Sequence, residues 1–511
     1  MASAGPSNAP KDEDLTDAAP AKTPLGSVRR SLTLSFAERY LGIVIQFAAT
    51  VTLARMLTPG DYGVYTIGLV IVNITSVLRD FGAVSFLIQE KNLSEISVRT
   101  AYGMSLLIGF VVGCVIVASS GVIASFYDND ALRPVLLVLG INFVLAPFVD
   151  VVFALLRREM NFRALFWISV SATTANTIVA ITLAFLGAGA MSLAWGALAA
   201  SLMQYVMARR LRPRGYDMSP SLKDWRRIGS FGIVATAGIL CAEIGGRAPE
   251  LVIGRFINVP AVGIYGRANG LIDMFNRLVT SGIAPVAVSA FAMQHRGGGA
   301  LRDSFIKSMT MLTGIAWPFF VLLGLMAGPI TRILFGSGWD SAIPIARILC
   351  VVGCVVTLAE LNWYVLQATG AMQANLRLQL ITQPVKVALL VVAAHFGLAA
   401  VAGALIVSSI FWVVVSYRSV QRIAGTSLGE VLAPSLTSVA VTACSAVVPA
   451  LVLFSFGTSL DQVWLPFCLS AAGAAAGWFI GLRLFRHPLG DEIWRLGLAV
   501  MRQIGMRLGR D

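Results

Sequence analysis

The chain of 511 residues is 57% hydrophobic and only 13% charged, whereas a soluble protein carries about 25% charged residues. Apolar runs of about 20 residues recur along it, and each is long enough to cross a bilayer core of ~30 Å as a helix. The net charge of +13 comes from basic residues at helix ends and in alternate loops. That distribution is typical of membrane orientation and argues against nucleic-acid binding. We therefore predict an all-α polytopic membrane protein.

The few residues with catalytic or metal-binding chemistry are scattered. The 6 cysteines lie in apolar runs and the 3 histidines are far apart in sequence. No Gly-Lys dipeptide occurs, so the chain has no P-loop and no ATPase of its own. We expect no metal, no cofactor and no enzymatic activity.

In chain order, a segment rich in Ala, Pro, Asp and Ser comes first and is expected to be disordered and cytoplasmic. A lobe of six spans, a basic cytoplasmic connector, a second lobe of six spans, a helix pair and a basic amphipathic tail follow. The bounds of these parts are 1–26, 27–208, 209–227, 228–417, 418–482 and 483–511. The fourteen predicted spans are 33–54, 63–88, 101–123, 132–155, 164–187, 190–208, 228–256, 262–290, 305–327, 342–366, 377–396, 399–417, 432–455 and 463–482.

The loops between these spans predict the orientation. Counted from a cytoplasmic N-terminus, the even-numbered loops carry clusters of arginine, among them Arg157 and Arg158. The odd-numbered loops, such as 126–130 and 187–190, are short and poor in basic residues. Because cytoplasmic loops collect Lys and Arg, both termini are expected in the cytoplasm. No secretory signal peptide is expected before the first span.

Two stretches of sequence resemble each other at an offset of 200 residues. ARMLTPGDYGVY (54–65) aligns without a gap on GRFINVPAVGIY (254–265). Each copy links the first span of its half to the second. This repeat predicts two lobes of the same topology, related by an axis along the membrane normal, with a passenger site between them.

The hairpin of residues 228–290 carries charges at membrane depth. Its first span has Glu243, Arg247 and Glu250 on one helical face. Its second span has Arg267 near its start and a stripe of Asn269, Asp273, Asn276 and Arg277. An ionisable group at that depth costs at least ~2.5–3.5 kcal/mol, so it usually faces a cavity or a partner. We interpret the hairpin as one wall of a polar cavity. The alternative is that Glu243–Arg247 and Asp273–Arg277 are purely structural intrahelical pairs.

Three motifs resemble those of a known family: ARMLTPGDYGVY, RDFGAVSFLIQ (79–89) and ILFGSGWDSAIPIARIL (333–349). Over residues 30–485 the chain resembles Wzx-type polysaccharide flippases, which export O-antigen and exopolysaccharide units and belong to the multidrug/oligosaccharidyl-lipid/polysaccharide exporter superfamily. The resemblance implies translocation of undecaprenyl-diphosphate-linked oligosaccharide across the bacterial inner membrane by alternating access. It implies membrane lipids and polysaccharide polymerase machinery as further partners. It also places helices carrying Arg39, Gln46 and Asn73 opposite the 228–290 hairpin.

Candidate roles follow from the chemistry of that passenger. The planar fork of arginine suits a diphosphate, which makes Arg247, Arg267 and Arg277 candidates, with Arg39 on the opposite wall. Amides suit sugar hydroxyls, and the candidates are Asn269, Asn276, Gln46 and Asn73. Residues that could couple transport to a proton or cation are Glu243, Asp273, Glu360 and Lys386.

Other functions remain open at this stage. A peptidoglycan lipid-precursor flippase would also have about fourteen spans, and a cationic drug exporter would share the superfamily. A drug exporter would favour acidic cavity walls, whereas this hairpin mixes both signs of charge. A membrane glycosyltransferase or ligase would need a long extracytoplasmic segment, and the longest one here is only 328–343.

Overall fold

The computed structural model of the chain describes residues 41–42, 44–80, 86–87, 90, 93–213, 215–296, 301–456 and 464–495. In these ranges the regular secondary structure is helical and contains no strand. The first half of the chain forms α1 Val44–Met56, α2 Pro59–Asp80, α3 Glu95–Phe126, α4 Leu132–Arg158, α5 Phe162–Phe185 and α6 Ala190–Leu211.

The second half repeats this order of elements with two interruptions. It comprises α7 Trp225–Phe256, α8 Val259–Phe275, a π-helical turn Asn276–Thr280, α9 Ser281–Arg296, α10 Leu301–Leu325, α11 Ala327–Phe335, a 3-10 turn Ser337–Trp339, α12 Ala342–Thr357, α13 Glu360–Ala368, α14 Met372–Ala394 and α15 Leu398–Ala424. The C-terminal helix pair is α16 Leu428–Phe456 and α17 Trp464–Leu484. In the described part of the chain, 11 helical stretches are long and apolar enough to span a membrane. The all-α polytopic class is confirmed, and the count of fourteen spans stays a prediction.

Two predicted spans are interrupted, and the second break has a visible cause. The span predicted at 262–290 contains the π-helical turn, a feature often found at functional sites. The span predicted at 342–366 divides between α12 and α13. There the hydroxyl of Tyr417 donates to the carbonyl oxygen of Leu358 over 2.6 Å, and Trp317 Nε1 donates to that of Cys354 over 3.0 Å. Side chains of α15 and α10 thus satisfy carbonyls at the end of α12.

The two lobes meet where α2 and α8 begin. A Cβ atom on Gly63 would collide with the carbonyl oxygen of Val259, and a Cβ atom on Gly263 would collide with that of Pro59. The two contacts are related by the same offset of 200 residues, so the interface has the reciprocity of a two-fold axis. Small residues let the helix backbones approach this closely. We call this contact, centred on Gly63 and Gly263, the inter-lobe junction.

The arginines of the repeat extend the same symmetry. Arg55 Nη2 donates to the carbonyl oxygen of Ile333 over 2.7 Å, and Arg255 Nη1 donates to Asp128 over 3.0 Å. Asp128 follows α3 and Ile333 lies in α11, directly after α10, and α3 and α10 are the third spans of their lobes. Each repeat arginine therefore binds the connector after the third span of the opposite lobe.

The C-terminal pair packs on the second lobe. Gly477 of α17 has room for no side chain, because a Cβ atom there would collide with the backbone carbonyl of Cys444. Thr313 of α10 shares a hydrogen bond of 2.9 Å with Ser438 of α16. Trp478 Nε1 of α17 donates to the carbonyl oxygen of Gly314 over 2.8 Å. The pair is therefore attached to α10 by polar contacts in an otherwise apolar interface.

The basic connector packs on the first lobe. The Ser221 amide donates to the carbonyl oxygen of Arg99 over 3.1 Å, and the Arg99 guanidinium lies 3.4 Å from the Asp217 carboxylate. Hydrogen bonds from Ser219, and then the charge of Arg99, lower the pKa of Asp217. The connector is thus fastened to the start of α3.

Candidate functional site

A cavity of about 510 Å³ lies inside the second lobe. It is lined by α7, α8, α12, α14 and α15. Its polar lining residues are Glu243, Arg247, Glu250, Tyr265, Asn269, Asp273, Thr382, Gln383, Lys386, Ser408 and Ser409. The sequence places the passenger site between the lobes, and that placement stays a prediction. The charged cavity described here is a feature of one lobe.

The acidic and basic residues of α7 share the face predicted for them. Arg247 Nε donates to Glu243 Oε1 over 3.0 Å, one helical turn apart. This is the intrahelical pair of the structural alternative. Both side chains also line the cavity and are about one third exposed, at 39% and 30%. The pair is therefore open to a ligand as well as internally satisfied.

Glu250, the third member of that face, is in a different situation. Its side chain is buried, and its Oε2 accepts no hydrogen bond from the residues that the structure describes. Its cationic neighbours are Arg247 and, from α14, Lys386. The i, i+7 spacing from Glu243 correctly placed Glu250 on the cavity face of α7. The sequence carries no signal that Lys386, 136 positions later, lies near it.

The predicted stripe on α8 is present as far as the π-helical turn. Asn269 Nδ2 donates to Asp273 Oδ2 over 3.2 Å, and both residues line the cavity. Asn276 opens the turn and receives a hydrogen bond of 3.4 Å from the Thr280 hydroxyl. The side chain of Arg277 lies outside the described residues, so its predicted pairing with Asp273 stays a prediction.

Arg267 does not line this cavity. It lies at the inter-lobe junction, where its guanidinium carbon is 3.4 Å from the centre of the Tyr62 ring and 5.1 Å from those of Phe335 and Trp339. Its depth in the membrane follows from the sequence, but these aromatic neighbours do not, because they come from two other segments of the chain, α2 and the connector between α10 and α12.

The remaining candidates are dispersed. Lys386 faces the cavity, whereas Glu360, half-buried at the start of α13, is not among its lining residues. Gln46 is exposed on α1 and Asn73 is half-buried on α2. Arg39 lies outside the described residues. Within the described ranges no group of three or more His, Cys, Asp or Glu side chains could hold a metal ion.

The fold is that of a known class of transporter. The chain superposes on the structure titled "Lipid II flippase MurJ, inward closed conformation" with a TM-score of 0.72 and 14% identity, over 89% of this chain and 98% of that one. It superposes on an inward-facing multidrug resistance transporter of the MATE family, in the MOP superfamily, with a TM-score of 0.63 and 15% identity, over 78% of this chain and 99% of that one. At these identities the similarity defines the architecture.

The sequence comparison then identifies the family. The profile described as "Polysaccharide biosynthesis protein" matches residues 52–344, and the chain belongs to this family. The lipopolysaccharide biosynthesis protein WzxC of Escherichia coli K12 is 26% identical over 310 residues, which cover 59% of this chain and 62% of WzxC. The succinoglycan biosynthesis transport protein ExoT of Rhizobium meliloti is 23% identical over 317 residues, covering 61% and 63%. The matches thus span less than two thirds of these relatives. The resemblance stated from the three motifs is confirmed.

Proposed function

We propose that the protein is a flippase that moves undecaprenyl-diphosphate-linked oligosaccharide units across the bacterial inner membrane for export of exopolysaccharide or lipopolysaccharide. The observation that carries this proposal is the junction between two lobes of one fold, joined at one end by reciprocal contacts of Gly63 and Gly263. Such lobes can rock about a central passage and open it to either side in turn. The names of WzxC and ExoT supply the kind of passenger.

The distribution of basic residues among the loops predicts how the protein is oriented in the membrane. The turns at 57–58 and 257–258, beside the junction, belong to the odd-numbered loops, and so does the 326–341 connector. By the positive-inside rule this end is extracytoplasmic, and both termini are cytoplasmic. The described conformation is then closed toward the outside, and a passenger would enter from the cytoplasmic leaflet.

The diphosphate of the passenger is assigned to arginines. Arg247 is partly exposed at the cavity, and Arg277 and Arg39 are candidates from the sequence alone. Arg267 becomes available once the junction opens. Amides of Asn269, Asn276, Gln46 and Asn73 would bond sugar hydroxyls.

A coupling proton or cation is assigned to the cavity of the second lobe. Glu243, Asp273 and Lys386 line this cavity, and the buried carboxylate of Glu250 is added to them. A cavity holding both a buried carboxylate and a lysine exchanges ions when its exposure to water changes. Glu360, which lies off the cavity, is the weaker member of the predicted set.

The passenger can be identified in a strain that lacks the chromosomal copy. Lipid-linked oligosaccharide should accumulate in the cytoplasmic leaflet, accessible to a sugar-specific lectin in inverted vesicles but not in spheroplasts. Restoring the protein should reverse this distribution. Accumulation of peptidoglycan lipid precursor with cell lysis would favour the alternative flippase, and increased retention of cationic dyes would favour a drug exporter.

The same assay tests the role of Arg247. If its fork binds diphosphate, Arg247→Lys should lower translocation about tenfold, because an ammonium group does not reproduce two parallel hydrogen bonds. The double variant Glu243→Gln, Arg247→Gln should stay impaired. Rescue by the double variant, at matched protein levels, would show that the pair is structural.

A further inference from the structure

Arg267 is enclosed by aromatic rings from both lobes. Tyr62 belongs to α2 of the first lobe, whereas Phe335 and Trp339 belong to the connector between α10 and α12 of the second. The guanidinium lies 3.4 Å from the centre of the Tyr62 ring. At that distance the negative face of the ring attracts the cation directly. The charge therefore links an element of one lobe to two of the other.

The enclosed guanidinium lacks the partners that a buried charge usually has. Arg267 is only 7% exposed, and its Nε and Nη2 find no acceptor among the described residues. Unsatisfied buried donors are costly, so the rings stabilise the cation only in part. An anion that reached Arg267 would supply the acceptors that the rings do not.

The rings are themselves held across the junction. Trp339 Nε1 donates to the carbonyl oxygen of Ala54 in α1 over 2.7 Å, and its ring meets that of Tyr62 edge-on at 5.4 Å. Asp340, the next residue, accepts two hydrogen bonds from Arg332, at 2.6 and 3.0 Å. The connector is thus braced on its own lobe while Trp339 contacts the other one.

The symmetric position shows that close packing does not require this charge. At the offset of 200 residues, Arg267 corresponds to Ile67, which is fully buried. An aliphatic side chain therefore fills the equivalent place in the first lobe without any unsatisfied donor. The second lobe therefore buries a charge at a position where the first lobe buries an aliphatic side chain.

We propose that the rings of Tyr62, Phe335 and Trp339 form a latch, which holds the extracytoplasmic end closed by offsetting the cost of burying the charge of Arg267 there. The latch releases when an anionic diphosphate draws the guanidinium out of the rings. This release rests on the proposed function, whereas the closing role of the rings does not. Each phosphate oxygen would accept the charge-assisted hydrogen bonds that Nε and Nη2 lack inside the rings. Arrival of the passenger would then open the far side.

The closing role is testable through the reactivity of one cysteine. Thr66 lies inside the junction, within 3.9 Å of a Cβ atom placed on Gly266. In a background with the six native cysteines replaced, Thr66→Cys should react slowly with a membrane-impermeant maleimide added outside intact cells. Tyr62→Leu should raise that rate on the order of tenfold, because the charge loses its nearest ring. Tyr62→Phe keeps the ring and should label as the parent does.

A double variant separates a latch from simple packing. Arg267→Met removes the charge and places an aliphatic side chain there, as Ile67 does in the first lobe. Because no buried charge is then left without its ring, the double variant Tyr62→Leu, Arg267→Met should label as slowly as the parent. If Tyr62 acts only by filling space, the double variant stays as reactive as Tyr62→Leu alone. That result, or slow labelling of Tyr62→Leu itself, would overturn the latch.

The release step is read from the same cysteine in cells that cannot make lipid-linked oligosaccharide. Without passenger, Thr66→Cys should label several-fold more slowly than in producing cells. Arg267→Met should label slowly in both and export no polymer. If labelling is independent of the passenger while the Tyr62 cycle behaves as expected, the latch stands and the proposed passenger is wrong.

Discussion

The two lobes share a fold and an interface but differ in charge. Gly63 and Gly263 meet reciprocally, and Arg55 and Arg255 each bind the opposite lobe. Four other pairs of positions at the same offset of 200 residues have a charged residue in the second lobe and an uncharged one in the first. Those pairs are Phe47 and Arg247, Thr50 and Glu250, Ile67 and Arg267, and Asn73 and Asp273.

The features that the two lobes share differ in kind from those found in one lobe. Both lobes share the close contact at Gly63 and Gly263, as a two-fold interface requires the same residues on each side. Among the described residues, the charged cavity and the arginine enclosed by aromatic rings belong to the second lobe. In the proposed function, the shared contact serves the rocking of the lobes, and the charges of the second lobe serve binding and coupling.

The largest effect on polymer export is expected from removing a charge from the cavity of the second lobe. Glu250→Gln keeps the shape of the side chain but removes the charge beside Lys386. Export of polymer should fall by about a hundredfold, near the upper end of typical coupling energies. Thr50→Val, the change at the corresponding site of the first lobe, should alter export by less than about twofold. Polymer secretion at matched membrane protein levels measures both, and full activity of Glu250→Gln would remove the cavity from the mechanism.

A smaller effect is expected from disturbing the shared contact. Gly263→Ala places a methyl group against the Pro59 carbonyl, and overpacking of about 1–3 kcal/mol should lower export about tenfold. Gly270→Ala is the matched control on the same helix, because its Cβ atom would meet nothing within 4 Å. The helix-propensity gain is equal at both sites. Equal export by the two variants would show that close approach at the junction is dispensable.

The smallest effect on transport is expected at the helix pair outside the repeat. His487 is buried, shares a 3.0 Å hydrogen bond with Ser438, and accepts one of 3.2 Å from the Leu489 amide. His487→Ala should lower the free energy of unfolding by about 1–3 kcal/mol. Export per folded molecule should be unchanged, since the pair packs on α10 away from the cavity. His395→Ala, at an exposed site, is the control in a thermal-unfolding assay. A selective loss of export by His487→Ala would assign the pair a part in transport.

The fold was largely accessible from sequence. Apolar length and charge bias are local properties, so they predicted a helical membrane protein, and twelve aligned residues predicted the two lobes. The break after α12 was not accessible, because Tyr417 satisfies the Leu358 carbonyl from a distant helix. Assigning residues to a helix face from their spacing likewise assumes a regular α-helix. The π-helical turn Asn276–Thr280 interrupts that regularity.

The sequence by itself determined which residues share a helix face, and Glu243, Arg247 and Glu250 do line one cavity. Only the tertiary structure decided what those faces meet. Lys386 lies opposite Glu250, and Tyr62 lies over Arg267 across 205 positions of chain. Spacing along a helix is fixed by its 3.6-residue turn, whereas partners between helices depend on how side chains from remote segments pack.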